Sequence, residues 1–180
     1  KGETVVSSGK IVLLGNPVYY KNLKEEDFNK VNNRAVTQLP GTQAEVNAIN
    51  TTLLSNDVST DIYINKQATE EVVEKLSSPK VLHVATHGYF LPDEQAETDS
   101  DLAKEKATNN SLLRSGILLT NAGDLLSSNN VYEFNKEDGV LTAYEAMQLR
   151  LDDTELVVLS ACETARGDVK VGDGVYGLQR

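Results

Sequence analysis

Two side chains that together suit nucleophilic acyl transfer stand at the ends of two apolar runs. Residues 81–86 are mostly β-forming and lead to His87, which Gly88 follows, and residues 156–161 lead to Cys162, the only cysteine. In a parallel α/β sheet the ligand crevice lies at the carboxyl ends of the strands. An imidazole placed there beside a thiol can take its proton, and the resulting thiolate can attack a carbonyl carbon. We therefore predict that the two strands are neighbours and that His87 and Cys162 form a catalytic pair.

Backbone groups beside the pair extend this prediction. The N–H groups of Gly88 and Cys162 are candidates for an oxyanion hole, in which each donor contributes about 3–4 kcal/mol in comparable enzymes. The alternative is structural, because a lone cysteine in an apolar run is usually a buried small hydrophobic residue. His87 alone would also more often be structural than catalytic. The position of each residue at the end of its own strand favours the catalytic interpretation, whereas His83, in mid-strand, is predicted to be a packed core histidine.

Composition restricts the class of protein. A chain of 180 residues with 39% hydrophobic and 24% charged residues is expected to form one globular domain, residues 1–180. The formal net charge of −10 disfavours a nucleic-acid-binding surface, which needs a basic stripe, and docking on anionic membranes. One cysteine excludes an internal disulfide and is compatible with a reducing cytoplasm. Two histidines and one cysteine argue against a structural zinc site, and we expect no metal and no cofactor.

Hydrophobic patterning predicts strands alternating with helices, and therefore a mostly parallel sheet flanked by helices. Capping boxes at Thr42 with Glu45 and at Thr142 with Glu145 indicate two helix starts, and Thr69 indicates a third. The expected strands are residues 11–14, 62–64, 81–87, 116–120 and 156–161; the expected helices are residues 43–55, 70–78 and 142–149; polar surface loops are expected at 92–112 and 121–139.

The two strand ends also resemble a known family. The sequences Ala-Thr-His-Gly at residues 85–88 and Leu-Ser-Ala-Cys-Glu-Thr at residues 159–164 resemble the signature blocks of CHAT domains, members of the caspase–separase clan of cysteine peptidases. Three shorter markers of the family have counterparts here as well: Gly-Asp-Gly at 172–174, Gly-Asn-Pro at 15–17, and Leu-Pro-Gly at 39–41 followed by Glu45. The resemblance therefore covers nearly the whole chain.

The resemblance implies a caspase-like α/β fold in which a Cys–His dyad hydrolyses peptide bonds through a thioester. It implies no requirement for a third catalytic residue. It assigns His87 as general base and acid and Cys162 as nucleophile. Family members continue into further strands that complete the sheet. Residues 1–180 are therefore expected to be the large-subunit-like portion of the domain, incomplete without downstream strands. Arg180 is accordingly a candidate for self-cleavage after a basic residue, the alternative being an arbitrary end of the sequence.

Specificity and partners follow from the same hypothesis. A basic substrate residue requires a buried carboxylate in its pocket. Glu163 and Asp173 are the candidates, although either could instead be a solvated charge or a carboxylate at a helix start. The expected partners are a protein substrate, a small-subunit-like carboxyl-terminal fragment of the same precursor and a helical-repeat regulatory region, with no nucleic acid and no membrane. The expected location is the cytoplasm.

Two other classes of function compete with this prediction. The first is a catalytically inactive caspase-like interaction or signalling module, against which the presence of both His87 and Cys162 argues. The second is a nucleotide-binding α/β domain, which is disfavoured because the chain lacks a Walker loop and a Gly-x-Gly-x-x-Gly fingerprint. The leading prediction is a cysteine endopeptidase that is controlled by a partner.

Overall fold

The computed structural model describes residues 9–21, 36–90, 112–127 and 138–163. Within these ranges strands and helices alternate over most of the chain, as the patterning predicts. The strands are β1 (Ile11–Gly15), β2 (Thr60–Ile64), β3 (Val81–Phe90), β4 (Ser115–Leu118), β5 (Val140–Thr142) and β6 (Leu156–Glu163). The helices are α1 (Pro40–Leu54), α2 (Glu70–Glu74), α3 (Ala122–Ser127) and α4 (Ala143–Ala146), with a 3₁₀ turn at Asn65–Gln67.

The described strands form one sheet with β3 at its centre. The strand order is β2-β1-β3-β4-β5, and β6 also pairs with β3. Strand β1 is parallel to β2 and β3, and β6 is parallel to β3, whereas β4 is antiparallel to both β3 and β5. This mostly parallel sheet flanked by helices confirms the predicted α/β class and is consistent with a caspase-like fold. The expectation of further downstream strands stays a prediction.

Helices pack on both faces of the sheet. On one face, α1 places Val46 against Leu13 of β1 and Ala85 of β3. Burial of a side chain of this kind stabilises a fold by about 1.5–3 kcal/mol. On the other face, Val73 of α2 joins the largest apolar cluster. Because alternate residues of a strand lie on opposite faces, His87 shares the α1 face with Ala85.

Helix α1 begins three residues before its predicted start, and the capping box predicted at Thr42 and Glu45 is wrong. Pro40 opens the helix, where a missing N–H leaves nothing unsatisfied, so Thr42 lies inside the first turn. The Thr42 hydroxyl donates to the Leu39 carbonyl at 2.7 Å and accepts the N–H of Asn16 at 2.9 Å. The Glu45 side chain turns to the sheet instead, where it hydrogen-bonds with β3 and β6.

The other two predicted helix starts are confirmed. The Thr69 side chain accepts the N–H of Val72 at 3.2 Å at the start of α2. At α4, Thr142 and Glu145 form a complete capping box, in which each side chain bonds to the backbone of the other residue. Helix α4 ends at Ala146, earlier than the predicted end.

Strand β3 extends past the residue at which the sequence predicts its end. The prediction stops the strand at His87, but the strand continues to Phe90. Strand β4 pairs antiparallel with this extension, with His87 opposite Leu118 and Phe90 opposite Ser115. The ladder hydrogen bonds offered by β4 thus keep Gly88 in extended conformation despite its weak β-propensity.

The two predicted loops have different outcomes. Residues 92–111 lie outside the described residues, as does the helix start expected at 172–174. The prediction of one continuous loop over residues 121–139 is wrong, because α3 begins at Ala122. This residue is buried in an apolar cluster with Tyr20. In the ranges that the structure describes, no helix is long and apolar enough to cross a membrane.

Glu70 of α2 is a buried carboxyl group in an unfavourable environment. It is 2% exposed, and one of its oxygens accepts the N–H of Gly139 at 3.0 Å. The other oxygen has no hydrogen-bond partner among the described residues. Burial, with smaller contributions from the charges of Asp138, Glu145 and Glu74, raises the pKa of Glu70 from 4.5 to about 8, although the Gly139 hydrogen bond acts in the opposite direction. The folded protein therefore keeps Glu70 mostly protonated at neutral pH.

We expect Glu70→Gln to stabilise the fold more at pH 8 than at pH 5. Between pH 4.5 and about 8 the unfolded chain loses the Glu70 proton while the folded chain keeps it. The free energy of unfolding therefore falls as pH rises, by at most about 1.4 kcal/mol per pH unit, and glutamine removes this loss. Urea unfolding at both pH values measures the difference, with the exposed neighbour Glu71→Gln as control. An equal effect of Glu70→Gln at both pH values would contradict the raised pKa.

Candidate functional site

The parallel pairing of β3 and β6 brings the two positions of the predicted dyad together. The register extends over eight residue pairs and places His87 opposite Cys162. Neighbouring strands lie about 4.8 Å apart, and register partners occupy the same face of a pleated sheet. The prediction that these two strands are neighbours is confirmed.

The His87 ring is buried and bonded to a backbone group outside its own strand. Its Nε2 lies 2.8 Å from the carbonyl oxygen of Thr37. Because a carbonyl oxygen only accepts, Nε2 carries the hydrogen, and a neutral ring then has its free electron pair on Nδ1. Nδ1 is buried and has no hydrogen-bond partner among the described residues. The nitrogen available to take a proton is therefore Nδ1.

Burial also sets the protonation state of this ring. Desolvation lowers the pKa of His87 below its ordinary value of 6.5, and the hydrogen bond to Thr37 opposes this only in part. A buried imidazole disfavours its charged form because the surroundings solvate the cation less well than water does. At neutral pH His87 is consequently neutral and able to act as a base.

Tyr19, which follows β1, packs against the histidine. The ring centroids of Tyr19 and His87 are 5.4 Å apart with an interplanar angle of 38°. The Thr86 hydroxyl donates to the Leu118 carbonyl, so the Tyr19 hydroxyl donates to Thr86 at 2.9 Å. Burial raises the pKa of Tyr19 to about 12, and the ring therefore remains neutral. The neutral ring of Tyr19 thus contributes to the desolvation of His87.

The Thr37 carbonyl that orients His87 is held by its neighbour in the chain. The Gln38 side-chain amide donates to Oδ1 of Asn16 and to the carbonyl of Pro17, each at 2.6 Å. These bonds fasten the segment before α1 to the carboxyl end of β1. The position of the Thr37 carbonyl is therefore set by contacts with another strand end and not by its own segment alone.

Asn16 is the centre of this polar network. Its φ of 51° is a left-handed conformation that asparagine tolerates better than most residues. Its side-chain amide donates to Gln43 and to Asn65, each at 2.9 Å. The network gives a structural reason for the Gly-Asn-Pro marker. Sequence reasoning missed the Thr37 carbonyl because a backbone acceptor leaves no residue signature, and this marker was the signal that could have led to it.

A second polar network lies on the same face of the sheet. His83 is buried, as predicted, but its ring is not merely packed, since Nε2 lies 3.0 Å from Oε1 of Glu45. The Ser160 hydroxyl donates to Oε2 of Glu45 at 3.1 Å. Sequence reasoning missed this network because it assigned Glu45 to a helix cap.

The remaining predicted site residues have different placements. Gly88 lies inside β3, opposite Ile117 of β4 on one side and Glu163 of β6 on the other. The structure describes the backbone of Cys162 and Glu163 but not their side chains. Asp173 and Arg180 lie outside the described residues. The oxyanion, specificity and self-cleavage roles therefore stay predictions.

Comparison with protein families identifies the relationship. A family model of the CHAT domain matches residues 3–180. The chain belongs to the CHAT domain family. CHAT domains are a protease-related family with a caspase-like fold, so the resemblance based on motifs is confirmed. The comparisons with curated proteins and with solved structures gave no match.

The site of this CHAT domain contains the groups needed for proton transfer. His87 is neutral and has a fixed hydrogen on Nε2, and its register partner is a cysteine. In the described part of the chain, no group of three or more His, Cys, Asp and Glu side chains is arranged to hold a metal ion. The arrangement at β3 and β6 is suited to general acid–base chemistry at a nucleophile.

Proposed function

We propose that this CHAT domain is a cysteine endopeptidase, with Cys162 as nucleophile and His87 as general base and acid. The observation that carries the proposal is the register that sets Cys162 opposite a buried, neutral histidine. Nδ1 of His87, which has no hydrogen-bond partner in the part of the chain that the structure describes, supports it further, since a base must keep a free electron pair for the proton that it takes. Membership of a protease-related family supports the same reaction class.

The proposed reaction proceeds in two halves. In the first, the Cys162 thiol proton passes to Nδ1 of His87 and the sulfur bonds to the peptide carbonyl carbon. The C–N bond then breaks, the amine leaves with the proton from Nδ1, and a thioester remains. In the second half, water gives a proton to Nδ1 and its oxygen bonds to the thioester carbon. The C–S bond breaks, the acid leaves, and the thiol regains its proton. The Thr37 carbonyl stabilises the imidazolium that forms in each half, because it accepts from Nε2–H.

Further roles belong to the same proposal. The N–H groups of Gly88 and Cys162 would hold the oxyanion, and Glu163 or Asp173 would bind a basic substrate residue. Cleavage after Arg180 would then be self-processing. None of these roles is needed for the dyad chemistry.

Exposed apolar side chains on both faces of β6 support the proposed small-subunit-like partner. Leu156, Val157 and Leu159 of β6 are 52%, 45% and 38% exposed. In the described ranges β6 pairs only with β3, which leaves its other edge without a partner strand. An exposed apolar strand with a free edge favours pairing with another polypeptide segment. We therefore propose that the carboxyl-terminal fragment packs here.

The test compares wild-type full-length protein with Cys162→Ala. We expect cleavage products in the wild type that are absent from the variant, as measured by intact mass and by sequencing of new termini. A wild-type fragment ending at Arg180 would add self-processing after arginine to the result. Iodoacetamide modification of Cys162, followed by peptide mass mapping, supplies a second measurement. Uncleaved chains in both proteins, together with the slow modification of an ordinary thiol whose pKa is about 8.5, would favour the inactive interaction module.

A further inference from the structure

Glu45 contacts both strands that carry the proposed dyad, although it belongs to neither of them. Oε1 of Glu45 accepts the hydrogen on Nε2 of His83 at 3.0 Å, and Oε2 accepts the hydroxyl hydrogen of Ser160 at 3.1 Å. His83 lies in β3 and Ser160 lies in β6. One carboxylate of α1 therefore bridges two neighbouring strands.

The bridge lies next to the dyad on the sheet. Ser160 is opposite Ala85 in the parallel register, and His87 is opposite Cys162 two residues further along each strand. Residues two apart in a strand lie on the same face. The bridge to Glu45 is therefore on the same face of the sheet as the proposed dyad. It lies at the pair Ala85–Ser160, which immediately precedes the pair His87–Cys162 on that face.

The start of helix α1 is also close in the chain to the backbone carbonyl that orients His87. The Thr37 carbonyl precedes Pro40, the first residue of α1, by only a few residues. A shift of α1 relative to the sheet would therefore displace this carbonyl from the histidine. The contacts of Glu45 oppose such a shift, because they tie the first turns of α1 to β3 and β6.

We infer that Glu45 is a positioning residue that ties α1 to β3 and β6 and thereby sets the relative positions of Thr37, His87 and Cys162. The inference rests on the proposed peptidase function. A displacement of about 1 Å at a catalytic group can lower a rate by about 100-fold, so loosening of the bridge has a measurable effect. Val46 packs on the sheet independently of Glu45, and variants at Glu45 are therefore expected to fold.

The experiment measures kcat and KM of full-length Glu45→Ala and Glu45→Gln. Glu45→Ala is expected to lower kcat by about 10–100-fold and to change KM by less than about 2-fold, the pattern of an interaction that affects the reacting groups and not binding. Glu45→Gln, which keeps the length and one acceptor oxygen, is expected to restore part of kcat. Asn47→Ala, on the exposed part of the same helix, is the control and should match the wild type. An unchanged kcat in Glu45→Ala would overturn the inference.

Ser160→Ala keeps the inference testable if Glu45→Ala fails to fold. Loss of this hydroxyl removes one of the two contacts and is expected to lower kcat less than Glu45→Ala does. The effects of substitutions within one hydrogen-bond network are not additive. The double variant Glu45→Ala/Ser160→Ala should therefore lose no more kcat than Glu45→Ala alone. An unchanged kcat in Ser160→Ala, or fully additive losses in the double variant, would contradict the bridge.

Two measurements separate failure of this inference from failure of the proposed function. The pH dependence of iodoacetamide modification of wild-type Cys162 tests the activated thiol without any substrate, and an ordinary thiol profile would contradict the peptidase. Hydrogen exchange of the β6 amides tests the bridge without any activity. Exchange near Ser160 should be faster in Glu45→Ala than in Asn47→Ala, and equal exchange would overturn the role of Glu45.

Discussion

Replacement of His87 by glutamine is expected to lower kcat/KM of the full-length protein about 1,000-fold, within the range for loss of a general base. Glutamine has an amide that can still donate to the Thr37 carbonyl, the partner of Nε2 in the native protein. It has no basic nitrogen, and so it cannot take the thiol proton. The variant therefore removes proton transfer while preserving most of the packing around the ring. Steady-state kinetics with a cleavable peptide measures the loss.

The same substitution at the other histidine of β3 is the control. His83 is also buried and also donates to an oxygen, that of Glu45, but it lies opposite Val158 instead of the cysteine. Glutamine at this position can still donate to Glu45, and we expect no more than about a tenfold loss, since no proton transfer is removed. Similar losses in both variants would contradict the assignment of His87 as the base.

The pH profile of the wild type supplies a second readout for His87. Burial lowers the pKa of this ring below 6.5, so the base stays deprotonated to lower pH than an exposed histidine does. The acid limb of the pH profile of kcat/KM reports the pKa of the essential base in the free enzyme. The midpoint of this limb should therefore lie below pH 6.5. A limb at or above this value would mean that the ring is solvated in the working enzyme.

Replacement of Gly116 by alanine is expected to destabilise the fold by about 3 kcal/mol, the upper part of the range for overpacked sites. A Cβ at this position would lie 2.7 Å from Cε1 of Tyr89 and closer still to the carbonyl oxygen of Leu141. The backbone of β5 cannot move away without breaking its pairing with β4. For a chain of this length the expected decrease in Tm is about 10 °C, measurable by thermal unfolding.

Gly88→Ala is the matched control for this substitution. Gly88 lies in the neighbouring strand, and its nearest atoms to an added Cβ are the Ala161 Cβ at 3.7 Å and the Gly116 carbonyl oxygen at 3.8 Å. These are ordinary van der Waals distances, so Tm should stay within about 2 °C of the wild type, as for changes that create no steric conflict. A large loss of stability in Gly88→Ala would contradict the described packing. A loss of activity without a loss of stability would support close approach of substrate to the Gly88 backbone.

Local patterns in the sequence were sufficient for the elements that carry the proposed dyad. The run 81–87 and the run that ends at Cys162 predicted β3 and β6, because short runs of β-forming residues bounded by other residue types indicate strands. The caps at Thr69 and Thr142 were also predicted, since the capping residue and the N–H group it satisfies are only three positions apart. The motifs around the two strand ends indicated the CHAT family, which the family comparison shows.

Tertiary structure alone decided which contacts surround the residues of the proposed dyad. The Thr42–Glu45 pattern satisfies the local rule for a cap, yet Pro40 starts the helix earlier and Glu45 bonds instead to His83, which lies 38 residues away in the chain. The carbonyl of Thr37 orients His87 across 50 residues. Such contacts join groups that no window of sequence contains together, and backbone acceptors have no residue identity to recognise. The sequence by itself determined five of the six described strands, two of the caps and the family. The hydrogen on Nε2, the lack of a partner for Nδ1 among the described residues and the bridge at Glu45 depend instead on packing between distant segments.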